Sequence, residues 1–290
     1  MALTTEIWIN AIIGDLFGTA SAITKSIDHS DFVDNKIVHV PNAGAPSKIT
    51  KNATQLPLTV STREDIDLTY SIDDYKISPM LITNAEQVEL SYNKRQSVVS
   101  ENRAHLYDTV SKDTIAKWIA GAKPVAKGSK TVKEWILDAA RKFATDSVPQ
   151  ADRYLMLSPD SYYTLLGELS SQGKFAFSAS ADSAQGILGS LYGFNIVSEY
   201  LLPDKVEMLA WHKNSLSRAM SPLTLFENEK DPTYYGDIIS GELRAGGAVI
   251  RKDLKGVYVI NDNGQSYTPS SSHSSEESSM KEPKDHQSGM

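Results

Sequence analysis

The stretch Arg153-Tyr154-Leu155-Met156-Leu157-Ser158-Pro159-Asp160-Ser161-Tyr162 decides the fold. Its first half is a short apolar run of strand length, which suits a strand buried on both faces. Ser158 then offers an N-cap, Pro159 a first helical residue with φ already set, and Asp160 a negative charge in the first turn. The apolar residues Tyr162, Leu165, Leu166 and Leu169 continue a helix to about Leu169. A buried strand running into a capped helix predicts a mixed α+β core.

Working outward, Val132–Ala144 reads as a helix with Trp135, Ile136, Ala139, Ala140 and Phe143 on one face. Residues 170–186 are rich in Ser, Ala, Gly and Asp and read as a surface loop. Gly193-Phe194-Asn195-Ile196-Val197 starts a strand running towards Leu202-Pro203. Val206–Trp211, Leu223–Phe226, Ile238–Leu243, Ala248–Arg251 and Val257–Ile260 read as further strands, with turns at Gly246-Gly247 and Lys255-Gly256.

Upstream, there is no Gly or Pro from Asn84 to Ala120. Asn84 can cap a helix, Glu86 favours its first turn, and Val88, Tyr92, Val99, Leu106 and Val110 form a narrow stripe beside Arg95 and Arg103. Gly121 and Pro124 mark its end. A helix of about 35 residues spans about 50 Å, far beyond the usual three turns. Residues 37–82 read as extended. Ile37, Val38 and Val40 open a strand; Gly44, Pro46 and Asn52 are turn chemistry. Ile66, Leu68, Tyr70 and Ile72 alternate with polar residues, the period of a sheet with one wet face. Such a polar arm needs another surface to lie on.

At the N-terminus, Ile9, Ile12, Ile13, Leu16, Phe17, Ala20, Ile23 and Ile27 recur at helical steps. Ala20-Ser21-Ala22 resembles a signal-peptidase site. However, no Lys or Arg precedes the apolar stretch, and Glu6, Asn10 and Asp15 interrupt it, so an amphipathic helix fits better. Its apolar face is expected against either a neighbouring subunit or the chain's own core. No stretch approaches a membrane span of about 20 apolar residues. From Ser266 to Met290 nine of 25 residues are serine, too little apolar surface to offset ordering entropy, so a disordered tail is expected.

The 290 residues carry 29 basic and 36 acidic side chains. That net charge of −7 argues against a dedicated nucleic-acid binder. With no cysteine, disulfides, thiolate metal sites and cysteine nucleophiles are excluded, which fits a reducing cytoplasm.

Catalytic constellations are sparse. The histidines are His29, His39, His105, His212, His273 and His286, no two within five residues, so helical zinc spacings are absent. Asp28, His29, Asp31 and Asp34 have metal-ligand chemistry, but turn and cap chemistry explains them as well. Asp65, Asp67, Asp73 and Asp74 read as a solvated strand face, and His212 as structural. Gly189-Ser190-Leu191-Tyr192-Gly193 lacks the spacing of a nucleophile elbow. There is no phosphate loop and no dinucleotide fingerprint. Tyr162-Tyr163 and Tyr234-Tyr235 read as packing and interface aromatics. Lys123, Lys127, Lys130, Lys133, Arg141 and Lys142 are the main basic concentration. They read as a solvated helix face, with a DNA-facing role as the alternative.

The order of elements and several local stretches resemble the major capsid proteins of tailed phages, with the Hong Kong 97 fold. The similar stretches are Arg153–Tyr162, Gly193–Val197 ending at Leu202-Pro203, Tyr235-Gly236-Asp237, and Gly246-Gly247-Ala248-Val249 leading to Gly256-Val257. The resemblance covers residues 1–262, and the Ser-rich tail lies outside the family pattern. It implies an α+β Hong Kong 97-like capsid fold. An N-terminal arm (1–36) would precede an extended β-hairpin loop (37–83), then a long spine helix with the peripheral domain (84–130). The axial domain (131–222), returning C-terminal strands (223–265) and the tail (266–290) would follow.

The implied function is a self-assembling subunit that forms pentamers and hexamers of an icosahedral virion shell around double-stranded DNA, contacted without sequence specificity. Scaffolding, portal and decoration proteins would be partners, with assembly in the host cytoplasm. No catalytic, cofactor or metal residue is implied, and no enzyme activity. The alternatives are an encapsulin-like shell for a cargo protein and, from a different class, a soluble hydrolase.

Overall fold

The computed structural model describes residues 20–42, 51, 66–83, 94–251 and 253–268. The readings placed on residues 1–19, 43–50, 52–65, 84–93 and 269–290 lie outside these. They include the start of the amphipathic helix, the loop turns, Asp65, the Asn84 cap, His273, His286 and most of the tail.

The strands in chain order are Ile27–Asp28 (β1), Val33–Asp34 (β2), Ile37–Asn42 (β3), Ile66–Ser71 (β4), Asp73–Thr83 (β5), Pro124–Ala126 (β6) and Arg153–Leu157 (β7). They continue with Ile187–Leu191 (β8), Phe194–Val197 (β9), Val206–His212 (β10), Leu216–Met220 (β11), Thr224–Asp231 (β12), Gly236–Val249 (β13) and Val257–Asn261 (β14). The helices are Lys94–Gly121 (α1), Val132–Thr145 (α2), Pro159–Glu168 (α3) and Ser171–Ser178 (α4).

The opening stretch forms β7 and α3 as its residues predict. Ser158 Oγ accepts from the Ser161 N–H, with Pro159 in the first turn. The strand sits inside a six-stranded sheet ordered β6-β14-β10-β7-β9-β8. Both faces of this sheet are covered, which is why its strands are apolar runs rather than alternations. Leu155, Leu157, Met208, Ala210 and Ile260 pack under α2 and α3 with Trp135, Ile136, Phe143 and Leu165. Met156, Leu209, Trp211, Val257 and Val259 face the other way, onto Ile115, Trp118 and Ile119 of α1 and Ala22 and Ile23 of the N-terminal segment. Helix α2 starts with a full capping box between Thr131 and Glu134, and Glu168 accepts the next two orphan amides, those of Val132 and Lys133.

A second sheet has the order β1-β11-β13-β12, with β5 on β13. Gly236–Glu242 of β13 lie between β5 and β12, and Ala245–Val249 continue alongside β11. The turn expected at Gly246-Gly247 is therefore corrected: both glycines lie inside one 14-residue strand. They are glycines because α1 crosses here. A Cβ on Gly247 would stand 2.5 Å from the Ser217 carbonyl oxygen and 2.6 Å from Trp118 Nε1. Lys255-Gly256 is a turn, with Gly256 at φ 75°.

Three further readings are corrected. Residues 170–186 are not all loop: Ser170 caps α4, which buries Phe177 in the core, and Ser183–Gln185 form a 3-10 turn. The strand begun at Phe194 stops at Val197 instead of reaching Leu202. The helical periodicity does not hold between Ala22 and Ile27: Ile23–Lys25 is a 3-10 turn and Ile27 begins β1. Side chains hold that backbone open. Arg218 donates to the Ile23 and Ser26 carbonyls and Trp211 Nε1 to that of Lys25. Ala22 and Ile23 are buried in the chain's own core.

Helix α1 is 28 residues long, about 42 Å. Its Leu106 and Val110 cover one face of the second sheet, packing with Tyr75, Ile77, Leu223, Leu225 and Leu243. A third sheet, β2-β3-β4, pairs Ile37–Asn42 antiparallel with Ile66–Ser71.

Candidate assembly surfaces

The β5-β13-β12 part of the second sheet differs from the first sheet in having only one covered face. Thr224 pairs with Glu242, Glu242 with Lys76, and Arg244 with Asp74, so these residues share the face turned away from α1. A charge ladder crosses it. Asp74 pairs with Lys36 and lies 2.9 Å from Arg244, and Arg244 is 3.8 Å from Glu242. The bond from Lys36 holds the Asp74 carboxyl below its ordinary range; partial burial opposes this, and the charges of Lys36 and Arg244 reinforce it. Beside the ladder lies an open groove of about 380 Å³ lined by Ser221, Pro222, Thr224, Phe226, Glu242 and Arg244.

The far end of this sheet exposes apolar groups. Phe226 is 53% exposed, and Met80 and Leu81, adjacent in β5 and so on opposite faces, are both exposed. Among the described residues no strand pairs with the outer edge of β5 or β12. The turn joining β12 to β13 is tightly made. Asp231 accepts from the Thr233 N–H through its side chain and from the Tyr235 N–H through its carbonyl, and Asn228 Nδ2 donates to its other carboxylate oxygen. That turn presents Tyr234 and Tyr235, the latter 77% exposed and at φ 53°. A bulky residue in the left-handed region is strained where Asn or Gly would be relaxed.

A second aromatic group lies beside the six-stranded sheet. Tyr162 meets Tyr163 edge-on at 5.5 Å and Tyr200 at 6.2 Å between ring centroids, and Tyr163 is mostly exposed.

Several of the residues with catalytic or ligand chemistry have structural partners. Asp28 accepts from Ser30 and pairs with Arg218 at 2.9 Å. Burial pushes its carboxyl upward, but these hydrogen bonds and the Arg218 charge outweigh it and leave the carboxyl below its usual range. Among the described residues no three His, Asp or Glu side chains converge on a position for a metal ion. Asp73 pairs with Lys117. His212, buried at the end of β10, accepts the Asn214 N–H at Nδ1, and burial lowers its basicity. Ser190 lies in β8, its N–H donating to Ser180 Oγ.

The structure adds a serine that sequence spacing does not reveal. Ser217 Oγ lies 2.7 Å from His29 Nδ1 and 2.7 Å from Tyr70 Oη, and its carbonyl accepts from Trp118 Nε1. The serine is 0% exposed, so no substrate reaches Oγ. The group ties the residue that follows β1 to β4, β11 and α1. Its members are up to 188 residues apart, which is why no local motif announces them.

Three of the six residues of the basic concentration pair with carboxylates, and a fourth lies over an aromatic ring. Lys127 lies 2.5 Å from Asp262 and 3.5 Å from Glu207, Lys130 is 2.6 Å from Asp138, Arg141 is 3.4 Å from the same carboxylate, and Lys142 sits over the Tyr258 ring.

No protein family matches the sequence, and no curated protein is similar to it in sequence. Solved structures are similar in fold. The capsid of cyanophage P-SCSP1u superposes with a TM-score of 0.63 at 17% identity, over 82% of this chain and 86% of that one. The capsid of Ralstonia phage GP4 gives 0.63 at 11%, over 86% and 90%. A virus-like particle from Pyrococcus furiosus gives 0.59 at 11%, over 89% and 99%. The chain has the fold of phage capsid proteins. Among the described residues no helix is long and apolar enough to cross a membrane.

Proposed function

We propose that this chain is the major capsid protein of a tailed bacteriophage, a structural subunit and not an enzyme. The observation that carries the reading is likeness in fold to phage capsid subunits along more than four-fifths of both chains. The one-sided second sheet supports it, because an exposed apolar patch rimmed by polar residues marks an interaction site. In this reading residues 37–83 lie across a neighbour and α1 is the spine of the peripheral domain. The axial domain, residues 131–222, which supplies β7 to β10 of the six-stranded sheet and the helices over it, meets its copies in pentamers and hexamers. The shell belongs to a virion, encloses double-stranded DNA without reading its sequence, and assembles in the host cytoplasm with scaffolding and portal partners.

The test is electron microscopy of the purified full chain, alone and co-expressed with its neighbouring phage genes. Regular closed particles or capsomer rings are expected. A chain that stays monomeric under every assembly condition sinks the proposal. Likeness to the Pyrococcus furiosus particle over 99% of that chain favours a cargo shell as the second reading. Nuclease-protected DNA in the particles supports the first reading; a co-purifying enzyme inside small, uniform, DNA-free particles supports the second. Turnover of an ester or phosphate substrate, lost on a single substitution, would instead establish a hydrolase.

A further inference from the structure

We infer that the Tyr234-Tyr235 turn of one copy seats in the groove lined by Ser221, Pro222, Thr224, Phe226, Glu242 and Arg244 of another. This rests on the shell reading, for which it names one contact. Three observations meet in it.

First, the turn does not need its tyrosines. Its shape is set by hydrogen bonds that Asp231 accepts from Asn228 Nδ2 and from the Thr233 and Tyr235 N–H groups. Tyr235 occupies a left-handed position that asparagine or glycine fills without strain. Two adjacent rings held out in water on a rigid turn, one of them strained, make sense when a partner buries them. Tyrosine is well suited to that role, combining large contact area with few rotatable bonds and a polar tip.

Second, the groove has the complementary chemistry. Pro222 and Phe226 supply an apolar floor for an aromatic ring. Arg244 supplies a cation for the ring face and Glu242 an acceptor for the phenol O–H. About 380 Å³ falls within the range of sites that seat small ligands, and a tyrosyl side chain is a small occupant.

Third, geometry makes the occupant another copy. Turn and groove belong to the same hairpin: Asp231 pairs with Gly236 beside the turn, and Thr224 with Glu242 beside the groove. Seven residues of strand separate them, roughly 23 Å at about 3.3 Å each. The hairpin cannot fold back on itself across its own hydrogen-bonded strands. A turn-to-groove contact therefore joins two different patches of two copies; made one way it is heterologous and repeats into a ring or lattice, and made reciprocally it closes a two-fold pair.

The chain has no cysteine, so introduced thiols report this contact alone. Full-length Tyr234→Cys and Thr224→Cys subunits, with Tyr235 intact, are mixed under assembly conditions, oxidised and run on a non-reducing gel. Tyr163→Cys, more exposed than Tyr234 but away from the ribbon, replaces Tyr234→Cys in the control mixture. Cross-linked dimer at least tenfold above the control is expected, and micrographs of the same samples report particles separately. Particles without the cross-link overturn the contact and leave the shell reading standing. The cross-link without particles supports the contact and counts against the shell; neither one overturns both. Tyr235→Asn provides a second readout, since it relieves the backbone strain. It is expected to melt at or above the wild-type temperature while lowering particle yield at least fivefold. A melting point below wild type with unchanged yield shows instead that the ring serves the subunit's own fold.

Discussion

The two large sheets of this subunit bury themselves differently. The six-stranded sheet has helices on one face and α1 with the N-terminal segment on the other, and every side chain of β14 is buried. The β5-β13-β12 part of the second sheet has α1 on one face and water on the other, where Phe226 is exposed, and at its far end Met80 and Leu81 are exposed on opposite faces. One sheet is completed by its own chain. The other is only half completed, so a subunit can be stable alone and still have a reason to associate.

The largest test of this contrast lies in the closed sheet. Trp211 is 0% exposed, packs on Trp118 at 6.3 Å and donates Nε1–H to the Lys25 carbonyl. Trp211→Ala is expected to cost about 3–5 kcal/mol in chemical denaturation; a loss below 1 kcal/mol breaks the comparison. Next comes the crossing point. Gly247→Ala adds a methyl against the Ser217 carbonyl and the Trp118 indole, with an expected cost of about 1–3 kcal/mol.

A pH effect follows, smaller because the groups are partly exposed. Burial works to raise the Glu207 carboxyl, but hydrogen bonds from Ser161 and Ser158 and the charge of Lys127 outweigh it and hold it below the ordinary carboxylate range. The unfolded chain therefore binds a proton at higher pH than the folded one. The contribution of Glu207 is complete above the ordinary carboxylate pKa and is lost as pH falls through the depressed folded value. Acid titration of stability is expected to show a limb there that Glu207→Gln flattens. The smallest stability effect belongs to the open sheet. Phe226→Ser is expected to change subunit stability by no more than about 0.5 kcal/mol, yet to reduce particle formation clearly by light scattering. Equal damage to fold and assembly would erase the distinction between the sheets.

Much of the fold is legible locally. The runs at 153–157, 206–211 and 257–260 are mostly apolar without regular alternation, and each is a strand with both faces buried. The Ser158-Pro159 start of α3 and the Lys255-Gly256 turn also follow from residues within one turn of the chain. The candidate surfaces are less legible. Tyr234-Tyr235 reads as an interface pair from exposure-prone chemistry alone, whereas the groove joins Ser221 to Arg244 across two strands. Ser217 with His29 and Tyr70 is invisible because its partners come from distant segments.

By itself the sequence determined the buried strands, the Ser158 cap, a long helix ending at Gly121 and the absence of thiol chemistry, since each depends on periodicity, capping or composition within a few residues. Only the tertiary structure decided that Gly246-Gly247 continue a strand, that Ser171–Ser178 coil into a helix and that residues 22–27 leave the helical path. In each case a non-local partner overrides the local preference: α1 crossing at Trp118, the core receiving Phe177, and Arg218 with Trp211 taking the backbone carbonyls. Local propensities are worth fractions of a kcal/mol per residue, and a buried side chain or a satisfied buried hydrogen bond outweighs them.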